Sequence, residues 1–343
     1  MAYDSKIANQ LREIKFIRAA WRKVLPYKLR FRVFQAFSLF CGVEKYTQAL
    51  IDLLEEPGAV DFEKKDRVLK ILKKNKYGAI SPEFSEIWLE KTSDSNRVFN
   101  FNGAILPYFK GMDIETLTFV FSDTFLFSML FGDNYSAGLV KRLENLMGEG
   151  PYGYTEDGFD VTVKQGDIVI DAGAWIGDFS AYAAAKGAVC YAFEPSSQTF
   201  KMLQKTSELN SRGGGGIFPV KKGLGDSENE ISLFMEFNTG SNTILKEHAV
   251  NESAEKVRIT TLDKFVHQKN LKRVDFIKSD IEGAERDMLK GARGVLKEFA
   301  PKLALCTYHL PDDPEVMEAL IKEANPDYRV VHISKKLFAA VCN

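Results

Sequence analysis

Cysteine is scarce in this chain: four in 343 residues, at Cys41, Cys190, Cys306 and Cys342. No two stand close enough for a Cys-x-x-Cys pair, so neither a zinc ribbon nor a disulfide framework organises the fold. Reduced thiols in a cytoplasm are the expectation. No apolar run approaches the roughly 18 residues that a membrane span needs. The opening MAYDSKIANQLREIK lacks the apolar stretch of a secretory signal. An excess of one charge is also missing, because 46 basic and 47 acidic residues leave a formal net charge of -1. That balance argues against a dedicated nucleic-acid surface. With 45% hydrophobic residues it argues against disorder as well. Two phosphate cradles are absent: there is no GxGxxG, and no glycine-rich loop ends in Gly-Lys-Ser/Thr.

The near-zero total hides one asymmetry. Residues 1–32 carry nine Lys/Arg against Asp4 and Glu13, with Ile14, Ile17 and Trp21 at helical spacing. Such a helix suits packing on its own domain or a second subunit, the blander reading, or peripheral contact with the inner face of an anionic membrane.

A chain of this length suggests two domains, or one with a sizeable extension. Residues 1–135 read as an accessory region for acceptor selection or oligomerisation. Helical patterns cover about 11–25, 27–54 and 61–75, and Ser81-Pro82 starts another over 82–91. The aromatic stretches VFNFNGAILPYF and LTFVFSDTFLFSMLF between 97 and 131 read as strands or an extended lid. A connector spans 136–165. From 166 to 343 strands and helices alternate regularly. Strands are expected over 167–173, 188–194, 217–224, 274–280 and 302–309, with extra strands over 231–237 and 256–262. Helices are expected over 177–186, 196–209, from 284, and over 314–324. A closing strand pair covers 328–334 and 337–342. The alternation implies a mostly parallel sheet covered on both faces, with an antiparallel hairpin at one edge.

Ligands of such sheets bind beyond the carboxyl ends of the strands, so the residues following each strand matter most. After the first strand comes Asp171-Ala172-Gly173-Ala174-Trp175-Ile176-Gly177-Asp178, a glycine turn that could approach a ligand closely or be a plain strand–helix connection. The second strand ends in Glu194-Pro195-Ser196, where a carboxylate can accept from both hydroxyls of a ribose or cap the following helix. The fourth ends in Lys278-Ser279-Asp280-Ile281-Glu282-Gly283-Ala284-Glu285. Three carboxylates so close together call for a ligand, a cation or a proton, although Glu282 and Glu285 also suit a helix N-terminus. The fifth ends in Tyr308-His309, and histidine is suited to proton transfer near neutral pH.

Together these segments, GDIVIDAGAWIGDFSAYAA, VCYAFEPS, PVKKGLGD, GSNT, VDFIKSDIEGAE and PKLALCTYH, resemble the FkbM family over about 150–340. The resemblance implies an S-adenosylmethionine-dependent O-methyltransferase with a Rossmann-like seven-stranded class I fold, preceded by a mainly helical extension. It implies a turn from Asp171 through Ala172, Gly173, Ala174 and Trp175 to Gly177, with Asp178 beside it, around the methionine moiety. Glu194 would hold the ribose, with Pro195 and Ser196 beside the adenosine and Gly225-Asp226 flanking the adenine. Asp280 and Glu282 would border the methyl donor and acceptor. His309 or Asp280 would take the hydroxyl proton, with Glu282 as the alternative. Ser279 and Trp175 depart from the commoner residues at their positions.

The acceptor implied is a small molecule or glycan, a sugar or glycoconjugate first and a polyketide or peptide second. A nicotinamide dehydrogenase is disfavoured by the missing GxGxxG. Asp280, Glu282 and His309 could hold a metal, but no spaced ligand motif is present and none is assigned.

Overall fold

The computed structural model describes residues 43–55, 64–75, 78, 81–92, 97–108, 124–125, 135–137, 151–211, 215–234, 254–333 and 335–342. The basic segment 1–32, the 240–243 segment and nearly all of the 236–255 insertion lie outside them.

Among the described residues, helices α1 (Val43–Glu55), α2 (Lys65–Lys74) and α3 (Pro82–Glu86) come first, then strands β1 (Leu89–Lys91), β2 (Arg97–Phe101) and β3 (Ala104–Pro107). A small hairpin follows, β4 (Tyr154–Glu156) and β5 (Phe159–Val161). The α/β part runs β6 (Ile168–Ala172), α4 (Asp178–Ala185), β7 (Val189–Phe193), α5 (Ser197–Leu209), β8 (Gly216–Val220), β9 (Gly223–Leu224), β10 (Asn229–Phe234) and β11 (Ala254–Thr260). It continues with α6 (Leu262–Lys269), β12 (Phe276–Ser279), α7 (Glu285–Lys290), α8 (Arg293–Glu298), β13 (Lys302–Cys306), α9 (Asp313–Ala324), β14 (Tyr328–Ile333) and β15 (Lys336–Val341).

The main sheet has seven strands in the order β14-β15-β13-β12-β6-β7-β8. The five strands from β13 to β8 run parallel, and β15 is antiparallel to both of its neighbours. This is the expected mostly parallel seven-stranded sheet with an antiparallel hairpin at one edge. The chain leaves β6 at the centre, so the strand order reverses there and opens a crevice at the carboxyl ends. The central strands are apolar almost throughout because helices cover both faces. β6, for example, buries Val169, Ile170, Asp171 and Ala172.

Three sequence expectations are corrected. Residues 82–91 are helical only to Glu86; the chain then becomes β1, because Leu89 pairs with Phe99 and Trp88 is buried against Phe84 and Phe101. The 217–224 strand stops at Val220, where Lys222 N bonds back to Val220 O at 2.8 Å. That tight turn sends Gly223–Leu224 into a separate sheet, ordered β10-β11-β9. Thr124 and Phe125 lie in a helical turn rather than a strand, with Phe125 stacked on Phe101 at 4.4 Å.

Two-residue turns with positive φ close both small hairpins: Asn102-Gly103 (54° and 95°) and Asp157-Gly158 (49° and 77°). These are the sequences a right-twisted hairpin favours. The first hairpin packs its β3 strand on α4 and α5. Its aromatic side chains belong to one buried cluster with Phe179, Ala181 and Leu203 of the α/β part. Asn210, at the end of α5, accepts from Ile105 N (2.9 Å) and donates to Ile105 O (2.6 Å), supplying the edge of β3 with a side-chain partner. Among the described residues no helix is long and apolar enough to cross a membrane.

Replacing Asn210 with Leu leaves both Ile105 backbone groups without that partner and is expected to cost about 2 kcal/mol. A urea-unfolding midpoint checks this, with Ser211→Ala at the exposed next position staying within about 0.5 kcal/mol of wild type.

Candidate functional site

At the carboxyl ends of β6 and β12 two charges are buried together. Asp171 and Lys278 face each other in register, with Lys278 Nζ 3.1 Å from Asp171 Oδ1. The Asp171 side chain is 0% exposed and that of Lys278 5%. Ser180 donates to the second Asp171 oxygen at 2.6 Å. Burial opposes the charge on Lys278, but the carboxylates of Asp171, Asp280 and Asp178 outweigh it and push its pKa up. The same ammonium donates to Gly173 O at 2.8 Å, pinning the turn after β6.

That turn requires glycine at 173. Its φ is +76°, and a Cβ there would lie 1.9 Å from Asp280 O. Gly173 N and Ala174 N donate to Phe193 O, so the turn folds over the end of β7. Trp175 then adopts a left-handed conformation (φ 49°), as does Glu282 on the facing loop (φ 53°). Such conformations in large side chains are costly and concentrate at functional sites.

Glu194 follows β7. Its two carboxylate oxygens accept from Trp175 N at 3.0 Å and Ser196 N at 2.9 Å. Burial pushes its pKa up to about 7, and the donors around it with Lys278 hold back only part of that rise. A carboxylate has about four acceptor positions, so this one can take further hydroxyl donors.

These residues line one cleft of about 920 Å³, counted to its open mouth, a size that suits a cofactor-scale molecule. Gly173, Trp175, Glu194, Pro195, Gly225, Asp226, Asp280 and Glu282 all border it. Ile231, Leu233, Val257 and Ile259 of the small sheet form an apolar wall.

One end of the cleft is strongly polar. Asp280 accepts from the hydroxyls of Tyr152 (2.8 Å) and Tyr308 (3.2 Å). Burial works against its charge, but Lys278, His309, the Tyr152 hydroxyl and Lys336 bring its pKa below the usual carboxylate value. His309 Nε2 lies 3.6 Å from Asp280 and 3.6 Å from Glu282, and Nδ1 lies 3.2 Å from Glu285. Burial disfavours the imidazolium, yet Glu285, Asp280 and Glu282 overcome it and raise the pKa to about 10. So arranged, His309 carries its proton at neutral pH. That corrects the expectation of a ready base, and the cause is the number of carboxylates around the ring.

The strand-end reading therefore brings eight of its site residues to one cleft. Ala172, Ala174 and Gly177 belong to the turn's scaffold instead, and Gly177 (φ +86°) lets Leu203 and Thr206 approach. Asp171 is engaged with Lys278. Asp178 accepts from Thr124 at 2.7 Å, and burial raises its pKa. Ser196 stands before α5, but its hydroxyl makes no capping bond; the Glu194 carboxylate takes its N–H instead. Lys278 was missed. Its signal was a single charge inside the apolar run VDFIKSD, opposite Asp171 one strand away.

Residues 171–330 match the model of the methyltransferase FkbM domain. Two relatives are similar to part of the chain. Hexuronic acid methyltransferase AglP of Haloferax volcanii is 25% identical over 173 residues, 50% of this chain and 68% of that protein. Methyltransferase 1 of Beauveria bassiana is 31% identical over 145 residues, 36% of this chain and 57% of that protein. A solved structure of methyltransferase FkbM from Methylobacillus flagellatus aligns at 19% identity and a TM-score of 0.40, covering 66% of this chain and 54% of that one. The chain thus spans little more than half the length of the second relative and of that structure.

Two outcomes test the site's electrostatics. Lys278→Met strands the buried Asp171 charge and should cost about 3–5 kcal/mol in denaturant unfolding. Glu194, with its pKa raised from 4.5 to about 7, favours folding most below pH 4.5, and that contribution is lost as pH rises to 7. Stability relative to Glu194→Gln should therefore fall by about 2–3 kcal/mol over that window and level off above it, as read from unfolding at several pH values.

Proposed function

We propose that this chain transfers a methyl group from S-adenosylmethionine to a hydroxyl oxygen on a sugar or glycoconjugate, a reading supported by the match of residues 171–330 to the methyltransferase FkbM domain. The observation that carries the reading is Glu194, a buried carboxylate on the cleft wall whose ionisation is only partly supported by the protein. Two ribose hydroxyls donating to it would complete that support. The rest of the cleft fits the same molecule. The backbone of Gly173 and Trp175 would border its amino-acid end, and the apolar wall with Gly225 and Asp226 would border its base.

The donor supplies a methyl group on a positively charged sulfur, so the protein's task is chiefly alignment. Asp280 and Glu282, at the polar end of the cleft, would orient the acceptor hydroxyl and receive its proton. Tyr152 and Tyr308 hold the Asp280 carboxylate in place, and His309 gathers the three carboxylates around it. A hydroxyl-rich acceptor suits an end wall built of carboxylates and phenols, and the name of the Haloferax volcanii relative supports a sugar. The 1–135 region and the 236–255 insertion are the parts left to select it.

Calorimetry with S-adenosylhomocysteine should show one site per chain and no binding of NAD. Glu194→Ala should weaken the first by about 150-fold or more, the value of two hydrogen bonds to a charged group at about 1.5 kcal/mol each. Binding of NAD in place of S-adenosylhomocysteine would overturn the reading. Incubation with sugar fractions and the methyl donor, followed by mass analysis, identifies the acceptor. Gly173→Ala should abolish binding, because the added carbon displaces the Asp280 backbone.

A further inference from the structure

Two loops carry the polar end of the cleft, and they leave neighbouring parallel strands. Residues 280–284 follow β12 and bear Asp280 and Glu282, with Glu285 opening α7. Residues 307–312 follow β13 and bear Tyr308 and His309. The first backbone amide of each loop bonds elsewhere, Asp280 N to Ala172 O at 3.1 Å and Thr307 N to Lys335 O at 2.9 Å. Side chains tie the loops to each other. His309 among Glu285, Asp280 and Glu282 is one tie, and Tyr308 on Asp280 is another. Arg286 is the third.

Arg286, the second residue of α7, reaches the far end of the His309 loop. Its Nε donates to Asp313 Oδ1 at 2.6 Å and its Nη2 to Asp312 Oδ1 at 2.6 Å. The Asp313 side chain is 1% exposed, and its second oxygen accepts from Leu310 N at 2.7 Å. One carboxylate thus closes the turn after His309 and anchors that turn to α7. Asp313 also opens α9, where Pro314 restricts the backbone behind it. Glu285 is just as firmly held, accepting from Ile281 N (2.8 Å) and Gly283 N (3.1 Å). Adjacent residues of one short helix therefore grip both loops, Glu285 its own and Arg286 the facing one. Charge-assisted bonds from a planar guanidinium fix direction as well as distance. Arg286 does not line the cleft, whereas Ala284 and Asp287 do, so it acts on a ligand only through other residues.

We propose that Arg286 is a positioning residue: by holding Asp312 and Asp313 it keeps Tyr308 and His309 seated against Asp280, Glu282 and Glu285. His309 lies 3.2 Å from Glu285 and 3.6 Å from each of the other two carboxylates. At such separations a small displacement of the loop weakens all three attractions together. The consequence for catalysis, though not the positioning itself, rests on the methyl-transfer reading. An Asp280 released by Tyr308 and His309 would meet the acceptor hydroxyl in several orientations, and alignment is the protein's chief task there.

The test follows the His309 ring by nuclear magnetic resonance of the full chain through a pH titration, with His309→Gln identifying the signal. In wild type the ring should stay protonated up to about pH 10, because of the carboxylates around it. Arg286→Ala should lower that midpoint by about one pH unit or more, since His309 then loses close contact with them. The sign is diagnostic. Deleting a cation and leaving Asp312 and Asp313 unpaired would, by direct electrostatics, raise the midpoint. Lys278 and Lys336, the cations acting on Asp280, are common to both proteins. Asn210→Leu, which costs stability at the edge of β3, should leave the midpoint where it is. A midpoint unchanged or raised in Arg286→Ala overturns the proposal, as does an equal fall in Asn210→Leu. Should Arg286→Ala not fold, Arg286→Lys takes its place. An ammonium cannot hold both aspartates in one fixed fork, so a fall of roughly a few tenths of a pH unit is expected, and an unchanged midpoint counts against the proposal. Calorimetry of the wild type with S-adenosylhomocysteine is run alongside. Absence of binding there defeats the methyl-transfer reading alone, because the His309 titration does not depend on it.

Discussion

The buried pair of Lys278 and Asp171 is the constraint on which the cleft depends. Removing two charges from water is expensive, and their attraction compensates only with good geometry and further hydrogen bonds. Both are present: the strands place the residues in register, Ser180 satisfies one oxygen, and Gly173 takes another ammonium proton. The pair therefore does more than join two strands. It fixes the carbonyl of the turn whose next amides fold over β7, and it keeps Asp280 anionic from below. Moving either charge would shift the turn, the left-handed Trp175 and the Glu194 carboxylate bound to it together.

The two ends of the cleft are tuned in opposite senses. Burial lifts Glu194 to about 7, while surrounding positive groups and a phenol hold Asp280 low. Carboxylates pushed apart in this way mark a division of labour. The weaker acid suits uncharged hydroxyl donors, and the persistent anion suits a positive partner. A ligand with a diol at one end and a cation towards the other matches that gradient without added machinery.

Much of this was legible in the residues. The five parallel strands announced themselves as apolar runs, and the ends of three of them pointed to Gly173, Glu194 and Asp280. Sequence reasoning failed where burial overrides residue type. Asp171 and Asp178 resemble ligand groups, but the fold buries both against partners far away in the chain, Lys278 and Thr124. His309 has the residue type of a base, and only proximity to three carboxylates turns it into a cation. The helix expected over 82–91 yields to a strand because Leu89 finds Phe99 across a hairpin, a partner invisible to local periodicity. The turns Asn102-Gly103 and Asp157-Gly158 close the β2–β3 and β4–β5 hairpins with short-range turn signals that the sequence reading passed over.

Asn210 gives the arrangement one more consequence. Its amide treats β3 as an adjoining strand would, and the aromatic face of that hairpin rests on the helices that follow β6 and β7. The boundary near residue 135 is therefore a boundary in pattern and not in cohesion. A recombination that exchanged the leading region between relatives would inherit a bare apolar surface on α4 and α5 unless it brought a matching hairpin. Diversification of the leading region is thus tethered to its host: the parts free to vary are those that do not touch these two helices.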